Sequence, residues 1–137
     1  MVFVLNLEMQ QSSNNSRRSF IRSAAGKAAV AAIAPSAFAM AETTQASGEE
    51  LVLAVLTGYE TAIRIGMSIQ PEHSLRGFQG TPTCGVFGAA AACAKLLQLT
   101  IPQTQNALGI AATFACGLSQ FFVSGSDIKR FHAGKAG

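Results

Sequence analysis

The stretch GVFGAAAACAKLL, residues 85–97, constrains the fold more than any other part of the chain. Gly85, Gly88, Ala89 and Ala92 recur at i, i+3, i+4 and i+7, so a helix here carries one face with no side chain larger than a methyl group. Another backbone can approach such a face closely. Directly before it stands RGFQGTPTC, residues 76–84, a polar turn of Gly, Thr and Pro. The pattern predicts a loop over residues 70–83, with two prolines, two glycines and no periodicity, and a helix from about Cys84 to Leu99.

The flanking segments also read as helices. Ser47 and Glu50 form an S-x-x-E capping box, and Leu51, Val55, Tyr59, Ala62 and Gly66 follow on one face, predicting a helix over 48–69. Thr100 and Gln103 form a second box, with Pro102 in the first turn, where a missing N–H costs little. The helix expected from there, over 101–122, places Leu108, Ala111, Ala115, Leu118 and Phe122 on one stripe, and VSGSD ends it. The uncharged run 105–123 is long enough to raise the question of a membrane span. Its Gln105, Asn106, Thr113, Ser119 and Gln120 favour the central helix of a bundle, with no stable membrane span. No alternating strand pattern of useful length occurs, so the expected fold class is all-α.

The first forty residues read differently. SRRSFIR at 16–22 sets paired arginines before Phe20 and Ile21, and small apolar residues follow up to the A-x-A ending of SAFAMA. Basic region, modest apolar region and small-residue ending together make a twin-arginine export signal, with cleavage expected after Ala39 or Ala41. The expected organisation is leader 1–41, linker 42–47 and folded unit 48–137, in the periplasm. If the stretch is only an N-terminal extension, the alternative location is cytoplasmic.

The leader also explains the charge. Arg17, Arg18, Arg22 and Lys27 against Glu8 account for the whole formal charge of +3, and six basic and six acidic residues balance from residue 40 onward. No broad basic surface remains for nucleic acid. Cys84, Cys93 and Cys116 match no metal-ligand spacing and read as small buried residues. His73 has no second ligand at a useful spacing, so no metal site is expected.

Two places carry polar groups suited to chemistry. Thr81 and Thr83 lie beside a helix N-terminus, where free N–H groups favour an anion, although the same hydroxyls can simply cap the helix. In SDIKRFHAGKAG, residues 126–137, Lys129, His132 and Lys135 stand at steps of three. On a helix they share a face and could hold a carboxylate or move a proton, or form no more than a solvated basic turn.

Taken together, GYETAIRIG, RGFQGTPTCGVFGAAAACAKLLQL, ALGIAATFACG and KRFHAGKAG resemble the MmgE/PrpD family in order and spacing. That family includes 2-methylcitrate dehydratases, cis-aconitate decarboxylases and related lyases or isomerases of small polycarboxylates. The resemblance implies an all-helical domain in which the Gly/Thr turn borders the active site, and a reaction that needs no cofactor. It assigns Lys129 to substrate contact, places His132 beside it in the K-x-x-H-x-G block, and brings Gln79, Thr81 and Thr83 to the substrate. Family members often carry a histidine where Gln79 stands, and a neutral amide can hydrogen-bond a carboxylate but cannot act as a base near neutral pH.

Members of the family are several times longer, with more helical sequence before the matching blocks and an α+β domain after them. The resemblance therefore implies a partial helical domain, inactive alone, that pairs as a homodimer or with a complementing chain. The alternative is a non-catalytic exported helical module or a gene remnant.

Overall fold

The computed structural model of the protein describes residues 24–137, and the arginine pair at 17–18 lies outside them. Its helices are α1 (Ala24–Thr44), α2 (Gly48–Ile69), α3 (Glu72–Leu75), α4 (Gly80–Leu96), α5 (Ile101–Phe114), α6 (Phe121–Ser124) and α7 (Lys129–Ala136). No strand occurs among the described residues; the one β-type pairing is an isolated antiparallel bridge between Phe78 and Leu118. The all-α class is therefore as expected.

The small-residue helix α4 is the centre of the bundle and packs against α1, α2, α5 and α7. Its glycines explain the closeness. A Cβ on Gly88 would sit 2.6 Å from Ile33 Cδ1 and 2.9 Å from the Gly58 carbonyl oxygen, and one on Gly85 would sit 2.9 Å from Ala32 Cβ. Ile33, Ala37, Ala54 and Ala92 are fully buried around this contact, with Leu51, Val55, Tyr59 and Ile65 packed on the rim. Burying Ile33 alone contributes roughly 2–3 kcal/mol.

The capping boxes form as the sequence implies. The Ser47 N–H donates to Glu50 Oε2 at 2.8 Å and the Glu50 N–H to Ser47 Oγ at 3.3 Å, and Thr100 with Gln103 repeats the arrangement. The Ser47 bonds hold the Glu50 carboxyl below its usual value.

Three boundaries differ from expectation. The helical unit begins well before Gly48: α1 continues to Thr44, the linker shrinks to residues 45–47, and Ala32, Ile33, Ala37 and Ala41 belong to the core. The alanine run that resembles the apolar part of a leader is equally suited to lie on the bare face of α4. Helix α4 starts at Gly80 rather than Cys84. Gln79 is extended (φ −99°, ψ 122°), so the turn closes there, and Pro82 falls in the first helical turn, where no N–H is needed.

Helix α5 stops at Phe114 instead of running to residue 122. Ala115 is extended, and the turn captures the backbone that a longer helix would use: Gln79 N donates to Gly117 O at 2.9 Å and Ser119 N to Gly77 O at 2.7 Å. Only part of the expected stripe survives, since Ala111 is buried while Leu118 and Phe122 are exposed. The break also removes residues 105–123 as a continuous span. Among the described residues, α2 alone is long and apolar enough to cross a membrane, a property shared by core helices of water-soluble proteins.

Candidate functional site

The polar turn is braced from three sides. Thr83 Oγ lies 3.0 Å from the Cys116 carbonyl oxygen and 3.1 Å from that of Gln79, and His73 Nε2 lies 3.0 Å from the same hydroxyl. With the hydroxyl proton directed at a carbonyl, Thr83 accepts from His73, which fixes the proton on Nε2 and leaves Nδ1 as the lone pair. Nδ1 is buried without a hydrogen-bond partner, and desolvation holds the imidazole below its usual pKa. His73 also stacks at a tilt on Phe78, with ring centroids 5.4 Å apart.

On the far side, Gly117 has φ +106°, and a Cβ there would lie 2.1 Å from Pro82 Cγ. A side chain at this junction would have to displace Pro82 and accept a left-handed backbone. Thr83 is therefore a brace of the turn and not a free hydroxyl.

Thr81 points elsewhere. It lines a cleft of about 550 Å³ together with Phe121, Phe122, Asp127, Lys129 and Arg130. Gln79 Nε2 donates to Thr81 Oγ1 in a long bond of 3.4 Å, so the amide supports the cleft from behind.

The charges in the cleft do not cancel. Arg130 pairs with Asp127 at 3.1 Å, whereas Lys129 has no carboxylate partner among the described residues. Its Nζ lies 5.4 Å from the centre of the Phe122 ring and 6.0 Å from that of Phe121, a cation–π placement that holds the ammonium at the cleft wall. A cation with no carboxylate partner among the described residues, lining the same aromatic-walled cleft as a hydroxyl, is suited to a carboxylate.

The K-x-x-H-x-x-K spacing separates its members. His132 turns inward, is 9% exposed, and meets Phe121 edge-on with ring centroids 5.4 Å apart. Its Nδ1 also lacks a hydrogen-bond partner. Lys135 turns back to the connection after α5, where its Nζ meets Cys116 Sγ. Of the shared face expected from the spacing, only Lys129 reaches the cleft.

Of the expected site residues, then, Thr81 and Lys129 are brought together, Gln79 stands one contact behind, and Thr83 and His132 are placed in packing. Sequence reasoning missed His73 as a brace and Phe121–Phe122 as a wall. The adjacent aromatics before VSGSD were a readable signal, but nothing in the spacing connects His73 with Thr83. The cysteines are free; Cys84 is buried, with its thiol pushed up to about 11 by desolvation, and Cys93 and Cys116 are half-buried. No cluster of three or more potential metal ligands occurs among the described residues.

The family model described as MmgE/PrpD N-terminal domain matches residues 19–137. The cis-aconitate decarboxylase-like protein oryM of Aspergillus oryzae is 36% identical over 104 residues, covering 70% of this chain and 22% of that protein. The cis-aconitate decarboxylase of Aspergillus terreus is 34% identical over 110 residues, covering 76% of this chain and again 22% of the relative. The chain thus spans about a fifth of the length of these curated relatives. No solved structure matches. A match over nearly the whole chain, with the glycine-lined helix and the polar turn at the centre of the fold, shows that this chain belongs to the MmgE/PrpD family.

Proposed function

We propose that the chain is the carboxylate-holding part of a lyase that acts, without a cofactor, on a small polycarboxylate. The observation that carries this reading is the meeting of Lys129 and Thr81 in one cleft, with Lys129 free of any ion pair among the described residues. The decarboxylase names of the relatives supply the substrate class. Lys129 and Thr81 would bind and orient an anionic group, and the amide of Gln79 would steady Thr81.

Among the described residues the cleft lining offers no histidine and a single carboxylate. The cleft holds Asp127, already paired with Arg130, and His132 faces the bundle. The proton-transfer step would therefore rest on groups outside this cleft, and the chain by itself would bind without turnover. Such a chain would work with a complementing chain or a second copy. The twin-arginine stretch at 16–22 supports a periplasmic location.

The test is a thermal-shift and calorimetric titration of the full chain with cis-aconitate and with citrate. Saturable binding that is weakened about ten-fold or more in Lys129→Ala and less strongly in Thr81→Val is expected. Heat and melting point unchanged by either ligand up to millimolar concentration would refute the proposal. Binding as tight in Lys129→Ala as in the parent would place the site elsewhere.

A further inference from the structure

We infer that helix α1 stays with the folded protein, and that the A-x-A stretches at 37–39 and 39–41 are not the place where an export leader is removed. Both stretches lie inside a continuous helix that ends only at Thr44. A processing peptidase needs its substrate extended, and here the backbone groups around the bonds after Ala39 and Ala41 are committed to helical hydrogen bonds.

The segment upstream of those bonds is the part of α1 that the bundle depends on most. Ala32, Ile33 and Ala37 are fully buried. Gly58, Gly85 and Gly88 each leave the space of a side chain for Ala32 or Ile33, so three glycines on two other helices are fitted to this segment. Cys93 Sγ lies 3.8 Å from the Ser36 carbonyl oxygen, and a Cβ on Gly137 would lie 2.4 Å from that of Ala32, so α4 and the end of α7 both close on it. Cutting after Ala39 or Ala41 would strip Ile33 from the core and open a channel along the bare face of α4.

The family match independently begins at residue 19, upstream of both bonds. Small residues here serve helix packing, which needs the same Ala-rich composition as a cleavage region. If the twin arginines direct export, they do so on a chain that keeps α1.

The test is to express the full chain in a bacterium with a working twin-arginine route, fractionate the compartments and measure the intact mass of the product. A parallel Ile33→Ala variant keeps the segment apolar while emptying its buried site. Retention of residues 24–41, with a melting midpoint lowered by about 10 °C or more in the variant, is the expected result. A product that begins at Met40 or Glu42, or anywhere past Ala24, overturns the inference. So does an Ile33→Ala protein that melts with its parent, and where no transition is resolved the mass alone decides.

Discussion

Gly58 and Gly88 face each other across the contact of α2 and α4, and a Cβ on Gly88 would lie 2.9 Å from the Gly58 carbonyl oxygen. The nearer obstacle is Ile33, whose Cδ1 would lie 2.6 Å away and which is fully buried with little room to move, and behind it stands the Gly58 backbone. Gly88→Val should destabilise the protein by about 3 kcal/mol or more, or prevent folding, as read by a circular-dichroism melt. Gly109, inside α5 with nothing within 4 Å of its missing Cβ, is the internal control. Gly109→Ala should stabilise by roughly 0.5–1 kcal/mol, because alanine is the better helix residue and meets no obstacle. Equal effects at the two positions would mean that the α2–α4 contact is looser than described.

His73 gives the turn a pH dependence with a definite sign. Its folded-state pKa is lowered by desolvation, so the unfolded chain binds the proton more tightly. The contribution of neutral His73 is complete above the ordinary imidazole range and is lost as pH falls through the depressed folded value. Melting temperature measured between pH 7.5 and pH 5 should fall more steeply in the parent than in His73→Gln, which keeps a hydrogen-bonding side chain but does not titrate. Parallel profiles would remove His73 as the titrating brace.

Much of this was legible in the chain because helix caps and small-residue faces are local signals. Ser47 with Glu50, Thr100 with Gln103, and the Gly85–Gly88–Ala89–Ala92 face all act within a turn or two of helix, so sequence spacing describes them adequately. The end of α5 was not legible, since Ala115 and Leu118 continue a good helical stripe and only the Gly77–Gln79 backbone, some forty residues away, takes the hydrogen bonds that stop it. The inclusion of α1 was hidden for a different reason: an alanine-rich leader and an alanine-rich core helix have the same composition, and only the partner surface on α4 distinguishes them. At the site, the steps of three from Lys129 to Lys135 were real, but Phe121 and Cys116 draw two of the three side chains elsewhere.

Gly117 joins the turn to the connection after α5, and its substitution separates turn geometry from global stability. Gly117→Ala must accept φ +106° and a Cβ 2.1 Å from Pro82 Cγ, so it should cost about 1–3 kcal/mol. Pro82 is flanked by Thr81 and Thr83, so the shift should also displace Thr81 in the cleft. The expected outcome is a lowered melting point together with weaker cis-aconitate binding at a temperature where the variant is still folded. Full binding in a folded Gly117→Ala would show that the cleft does not depend on the Gly117–Pro82 contact.

The pairing of Lys129 with Thr81 makes a quantitative claim that a double-mutant cycle can test. If both side chains contact one carboxylate, removing either should leave the other in a weakened interaction, and the two losses should not add. Lys129→Ala should cost about 1.5–3 kcal/mol of binding free energy, the range for a hydrogen bond to a charged group, and Thr81→Val about 0.5–1.5 kcal/mol. The coupling measured by calorimetry should exceed about 0.5 kcal/mol. Salt distinguishes the contributions further: the loss on removing Lys129 should shrink as ionic strength rises, because the ammonium is exposed, while the Thr81 loss should hold nearly constant. Additive losses with no salt dependence would mean that the two residues share a cleft without sharing a ligand.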